Sequence, residues 1–203
     1  MHGQRRWMVS ALAVLVALPA AAQQRGSGAA PAPAPPALVM TIPAFPDGGL
    51  FPVRFSQAAE GVATGEGTSP AINWTNVPPG TQSFVLNMHD MDVVRNKTTD
   101  DQAHWVVWNI PATATGLREG MPKGSQLPDG SYQISATGAM YRGPGAGANG
   151  PFHHYMFELY ALDAKIDVKP GTDAFEARAA VLAAMQGHIL GKAVYGGLFR
   201  RPQ

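Results

Sequence analysis

The chain has 203 residues and a formal charge of +1, a near-neutral balance that favours neither nucleic acid nor an acidic membrane surface as a partner. It contains no cysteine, which excludes disulfides, zinc–thiolate sites and a cysteine nucleophile. Apolar residues make up 45% of the chain, enough for a core, while 23 glycines and 18 prolines indicate a turn-rich domain of short strands.

The first 22 residues have the order of a secretory signal peptide. Arg5 and Arg6 precede an almost wholly apolar run from Trp7 to Leu18, and small residues then lead to Ala22. This order predicts cleavage near Ala22 and a periplasmic or secreted protein, because a membrane anchor would need about 20 apolar residues. The mature chain is expected to have no transmembrane segment.

A tract rich in alanine, proline and glycine follows over residues 23–37 and predicts a linker. The folded domain is expected to span residues 38–203. Short strands are predicted at 38–42 and 71–74, with a turn at Pro46–Gly49 between them. Three longer strands are predicted from alternating or continuous apolar patterns, over residues 83–90, 104–110 and 153–162.

Only one segment is predicted to be helical. Asp173 and Glu176 form a capping signature, and apolar residues then recur at helical spacing from Phe175 to Ile189. The helix is expected to end near Gly187 or Gly191. The predicted fold class is therefore mainly β with a late helix.

Polar side chains collect at the ends of the three longer strands. Asp90 and Asp92 follow the first, His104 begins the second, and His153 and Tyr155 begin the third. A carboxylate, an imidazole and a phenol beside core-facing residues suit a partly desolvated pocket. The alternatives are that the two aspartates are turn residues or metal ligands and that His104 is a core histidine.

Motifs for catalysis are missing from the sequence. His153 and His154 are adjacent on a strand and point to opposite faces, so they cannot bind one metal ion. No metalloprotease motif and no serine-hydrolase elbow is present. The glycine-rich run from Tyr141 to Pro151 lacks the lysine of a phosphate-binding loop, although its N–H groups could form an anion nest. We expect no catalytic residue, no metal site and no cofactor.

Several short motifs occur in one order along the chain and together resemble a known family. They read SPAINW, HDMD, HWVVWNIP, YRGP, HHY and AMQGHIL, and begin at residues 69, 89, 104, 141, 153 and 184. This set resembles the phosphatidylethanolamine-binding protein family, in particular its bacterial, Raf kinase inhibitor-like branch. The resemblance covers about residues 40–200, and the last motif is similar to the family's closing helix.

The resemblance implies a large antiparallel sheet packed with a smaller one, plus a C-terminal helix. It also implies a pocket for phosphate, acetate or a phospholipid head group. Carried over motif by motif, the ligand-binding residues are Asp90, Asp92, His104, Tyr141, Gly143, Pro144, His153 and Tyr155. Two family prolines are replaced by Met91 and Val94, and an arginine by His154, so the head-group preference does not follow from the resemblance.

The expected function is non-catalytic binding of small anionic or phosphate-bearing ligands by a secreted protein. Protonated His104 and His153 would hold the anion through charge-assisted hydrogen bonds. The alternative is a protein-interaction module that inhibits or modulates a partner enzyme, although the predicted signal peptide argues against a cytoplasmic kinase as that partner. A hydrolase ranks third because no nucleophile or metal motif supports it.

Overall fold

The computed structural model describes residues 37–203. The predicted signal peptide and nearly all of the predicted linker lie outside these residues. The described part contains one α-helix, α1, at Ala174–Ala184, and a short 3-10 helix at Val53–Phe55. Its strands are β1 Val39–Thr41, β2 Gly49–Leu50, β3 Ile72–Thr75, β4 Ser83–Asp90, β5 Gln102–Pro111, β6 Gly116–Leu117, β7 Tyr132–Ile134, β8 His153–Leu162 and β9 Ile189–Phe199.

The strands form two sheets. The larger has the order β2-β9-β8-β4-β5-β7, and the smaller has the order β1-β3-β6. All neighbours are antiparallel except β2, a two-residue edge strand that pairs parallel with β9. This arrangement confirms the predicted mainly β fold with a large sheet, a smaller sheet and a late helix.

Strand β4 lies at the centre of the larger sheet and is buried along its whole length. One of its faces, with Phe84, Leu86 and Met88, belongs to the main core, which also contains Trp74 of the smaller sheet. On the opposite face Val85 packs in a second cluster that includes the buried residues of α1. The continuous burial explains why β4 and β5 carry apolar residues on both faces.

The helix starts where the sequence predicts. The Asp173 carboxylate accepts hydrogen bonds from the N–H groups of Phe175 and Glu176, at 2.7 and 3.0 Å, and so satisfies two amides that the first turn leaves free. The predicted apolar face is only partly correct, however, because Met185 is buried in the same cluster as the helix but Ala179 is exposed. Ala174, Ala177 and Val181 are the buried residues of α1.

The predicted end of the helix is also wrong. The helix ends at Ala184, and a turn follows in which Gly187 has a φ of +84°, a left-handed conformation that terminates a helix. Ile189 lies in β9 and is exposed. The AMQGHIL motif therefore covers a helix end, a turn and a strand start. Strand β9 was not predicted, because its three glycines weaken the strand pattern.

Strands β6 and β7 were missed as well, because two or three residues are too few for a periodic pattern. Among residues 37–203, no helix combines the length and the hydropathy needed to cross a bilayer.

Candidate functional site

A cavity of about 240 Å³ lies at one end of the larger sheet. Antiparallel pairing brings polar strand ends together there, because Asp90 at the end of β4 is paired with Gln102 of β5 on one side and Tyr155 of β8 on the other. The structure thus brings together the polar residues at the ends of the three longer strands, as the sequence suggested. The lining residues are Gln57, Asp90, Val93, Gln102, His104, Arg142, Gly145, Ala146, Gly147, His153 and Tyr155.

Asp90 and His153 form a pair in this cavity. The Nδ1 atom of His153 lies 2.8 and 3.1 Å from the two carboxylate oxygens of Asp90, which is only 2% exposed. Asp90 also accepts the N–H of Asp92 at 3.0 Å. A carboxylate on Nδ1 fixes the orientation of the imidazole and leaves its Nε2 atom for a ligand.

Tyr155 is buried beneath the pair and stays protonated. Its hydroxyl oxygen accepts hydrogen bonds from the N–H groups of Gly145 and Ala146, at 3.1 and 3.2 Å. Burial, and next the negative charge of Asp90, raise the pKa of Tyr155 well above its usual value. Two amides of the glycine-rich run are therefore directed at a protein hydroxyl and do not form the anion nest that was considered for them.

His104 is neutral at neutral pH. It is 2% exposed, and burial lowers its pKa to about 4. Its Nδ1 atom lies 3.0 Å from the carbonyl oxygen of Arg142, so Nδ1 carries the proton and donates it to that carbonyl. At neutral pH His104 therefore carries no charge, and the charge-assisted hydrogen bond expected from its protonated form would require acidic conditions.

Arg142 supplies a permanent positive charge to the cavity. It is the one arginine or lysine among the lining residues. Within residues 37–203, its guanidinium forms no ion pair and no side-chain hydrogen bond. Its Nε atom is buried without a partner. Sequence reasoning missed this residue, although a lone charge within a glycine-rich run was a usable signal.

Four of the predicted ligand-binding residues do not line the cavity. The Tyr141 hydroxyl donates to the carbonyl of Phe55 at 3.0 Å. The carbonyl oxygens of Gly143 and Pro144 accept from the side-chain and backbone N–H groups of Gln57, at 2.7 and 2.9 Å. These hydrogen bonds hold the segment from Tyr141 to Gly147, which forms one wall of the cavity, in place. Gln57, which was not predicted, lines the cavity and also donates two of these hydrogen bonds.

Asp92 is the fourth of these residues and lies just outside the cavity. Its carboxylate accepts the N–H of His154 at 2.6 Å and lies 3.0 Å from Nδ1 of that residue. Partial burial raises the pKa of Asp92, but the hydrogen bonds from His154 outweigh this effect and lower it overall. Asp92 therefore pairs with the histidine that replaces the family's arginine.

Three side chains could hold a metal ion at the mouth of the cavity. Asp90, Asp92 and His153 each offer one ligand atom within 4.8 Å of the others, and carboxylate and imidazole donors suit divalent cations. All three side chains are already engaged in the hydrogen bonds described above. A cation would have to replace those bonds.

Comparisons with known proteins agree on one family. The sequence profile described as phosphatidylethanolamine-binding protein matches residues 41–200. A UPF0098 protein of Methanothermobacter thermautotrophicus is 40% identical over 160 residues, which cover 78% of this chain and 95% of that protein. A UPF0098 protein of Aquifex aeolicus is 32% identical over 174 residues, which cover 81% of this chain and 97% of that protein.

A solved structure leads to the same conclusion. The crystal structure of Escherichia coli YbcL, described as a member of the mammalian PEBP family, superposes with a TM-score of 0.66 at 27% identity. The alignment covers 81% of this chain and 99% of that one. Profile, relatives and architecture all agree, and the chain belongs to the phosphatidylethanolamine-binding protein family.

Proposed function

We propose that this protein binds small anionic, phosphate-bearing ligands in the cavity between β4, β5 and β8, without chemical turnover and after export from the cytoplasm. The observation that carries the proposal is the unpaired guanidinium of Arg142 at a cavity that also presents His153. Guanidinium groups bind phosphate and carboxylate through two parallel hydrogen bonds. The family name supports a phosphate-bearing ligand, since phosphatidylethanolamine carries a phosphate and an ammonium group.

The cavity combines one fixed cation with one carboxylate. Arg142 would bind the phosphate oxygens, and Nε2 of His153 would donate a further hydrogen bond when its ring is protonated. Asp90, which lines the same cavity, would accept from an ammonium or hydroxyl group of the ligand. A small zwitterion such as phosphoethanolamine matches this arrangement of charges.

The absence of turnover is part of the proposal. The Asp90–His153 pair has the geometry of a base held by an orienting carboxylate, but such a base needs a nucleophile to activate. No serine, threonine or cysteine is among the residues that line the cavity. The lining residues therefore favour binding over covalent chemistry.

The test is calorimetric titration with phosphate and phosphoethanolamine. His153→Ala should bind about 10- to 100-fold more weakly, because it removes a hydrogen-bond donor and leaves the Asp90 charge facing the anion. His188→Ala is the matched control, since the His188 ring also contacts a carboxylate, Asp163, at 2.7 Å but lies outside the cavity. Its affinity should equal that of the wild type.

Two results would contradict the proposal. One is wild-type affinity in a normally folded His153→Ala protein, which would place the ligand elsewhere. The other is a saturable rate on ester, phosphoester or amide substrates that His104→Ala abolishes, which would make the protein an enzyme.

A further inference from the structure

We propose that the cavity selects a tetrahedral oxyanion that still carries a proton, such as inorganic phosphate or a terminal phosphomonoester. Sulfate, and the phosphodiester of an intact phospholipid, would then bind more weakly. This inference rests on the proposed anion-binding function and concerns which anion that site prefers. It follows from the balance of hydrogen-bond donors and acceptors on the cavity wall.

Arg142 would balance the negative charge of the anion. Its guanidinium has no competing ion pair among residues 37–203, as described above, and one of its nitrogens is buried without a partner. Two hydrogen bonds with His104 hold the backbone of Arg142. The Arg142 N–H donates to the His104 carbonyl at 3.1 Å, and the Arg142 carbonyl accepts from the His104 ring at 3.0 Å. Arg142 attracts phosphate and sulfate alike, since both are tetrahedral anions.

Two side chains of the cavity, Asp90 and His104, can accept a hydrogen bond from a protonated oxygen of the anion. Asp90 is a carboxylate and has no hydrogen to donate, and it is almost fully buried at the cavity. His104 donates from Nδ1 to Arg142, so only the lone pair on its Nε2 atom is left. These two side chains can stabilise an oxygen that carries a proton and would repel one that does not.

Ligand chemistry then decides the preference. Inorganic phosphate keeps at least one proton at neutral pH, and a phosphomonoester keeps one on half of its molecules at about pH 6. Sulfate and phosphodiesters carry none. A buried acceptor left facing a bare oxygen loses its hydrogen bond, and the expected discrimination is about 10- to 100-fold.

The experiment compares matched pairs of ligands on the purified wild-type protein by calorimetric titration. Inorganic phosphate is paired with sulfate, and phosphoethanolamine with its glycerol phosphodiester, both at about pH 6. The protonated member of each pair should bind at least tenfold more tightly. Equal affinity within the pairs, or tighter sulfate binding, would overturn the inference while leaving anion binding intact. No binding of any of the four would overturn the proposed function itself.

Single substitutions can distinguish recognition of the anion's charge by Arg142 from recognition of its proton by Asp90. Arg142→Gln should weaken the binding of both phosphate and sulfate, and the ratio of phosphate affinity to sulfate affinity should stay well above one. Asp90→Asn replaces an acceptor-only group with an amide that can donate, and the ratio should fall towards one. Arg118→Gln removes an exposed charge whose guanidinium contacts the carbonyls of Glu119 and Gly120, and it should change neither affinity. An unchanged ratio in a folded Asp90→Asn protein would also contradict the inference.

Discussion

Two neighbouring residues of β4 serve different parts of the molecule. Asp90 faces the cavity, while His89 points to the opposite face of the sheet because side chains alternate along a strand. There, Nδ1 of His89 lies 2.5 Å from one carboxylate oxygen of Asp101, and Arg178 of α1 lies 2.5 Å from the other. Glu158 of β8 lies 3.5 Å from Nε2, an ion-pair distance without a hydrogen bond. This network joins the helix to the sheet directly behind the cavity.

The network predicts how stability depends on pH. Burial lowers the pKa of His89, but the hydrogen bond with Asp101 and the nearby carboxylate of Glu158 outweigh this effect, so the pKa is raised overall. A histidine with a raised pKa stabilises the fold fully below its unfolded pKa of about 6.5, and this contribution is lost as the pH rises through the folded value. The free energy of unfolding should therefore decrease as the pH rises above about 6.5, and His89→Gln should flatten the dependence.

Urea unfolding of both proteins over a series of pH values measures this effect. His188→Gln is the control, because His188 and its partner Asp163 are both about half exposed and an exposed pair contributes little. If the wild type and His89→Gln show parallel curves, the network does not stabilise the fold through the charge of His89.

At the level of elements, the wall segment from Tyr141 to Gly147 decides the shape of the cavity. It crosses the end of the 3-10 helix so closely that a Cβ atom added at Gly143 would lie 2.7 Å from the Phe55 carbonyl oxygen and 2.8 Å from the Ser56 carbonyl carbon. Both are backbone atoms and cannot rotate away. Gly143 is therefore needed for packing behind the wall, although the family resemblance predicted it as a ligand-binding residue.

Two glycine substitutions test this role. Gly143→Ala should lower the free energy of unfolding by about 1–3 kcal/mol, because the backbone must shift to admit the methyl group. Gly147→Ala, where an added Cβ would meet nothing within 4 Å, should stay within about 0.5 kcal/mol of the wild type. Chemical denaturation measures both, and equal stability of the two variants would show that the wall can relax.

For the whole molecule, the larger sheet carries different partners on its two faces. The smaller sheet packs on one face around the main core, and α1 packs on the other around Val85 and Trp108. The cavity opens at the end of this sheet, where the strand ends present polar groups that are not needed for the core. The fold thus places Asp90, His104 and His153 of the cavity on strands of the larger sheet.

Export is a prediction about the chain as a whole. The basic, apolar and small residues of positions 1–22 predict removal of this segment, which lies outside the residues that the structure describes. N-terminal sequencing of protein recovered from the periplasm should begin at or near Gln23. Intact Met1 on protein found only in the cytoplasm would contradict the prediction.

The fold class and the two central strands β4 and β8 could be predicted from the sequence alone. The predictions for 83–90 and 153–162 match β4 and β8 at both ends, because both strands carry a strong local pattern and lie at the centre of the sheet. Asp173 was identified as the helix cap for a similar reason, since capping depends on neighbouring residues alone. The family was also recognisable, because its motifs occur in order along the chain.

Contacts between distant parts of the chain determine which polar residues meet and which protonation states they have. Strand pairing brings Asp90 into contact with His153. Gln57 forms hydrogen bonds with the carbonyls of Gly143 and Pro144, which do not line the cavity. Burial made His104 neutral, and the lack of a partner left Arg142 as the free cation among the lining residues. These outcomes depend on contacts between residues far apart in the chain and on exclusion of water, neither of which a local pattern encodes.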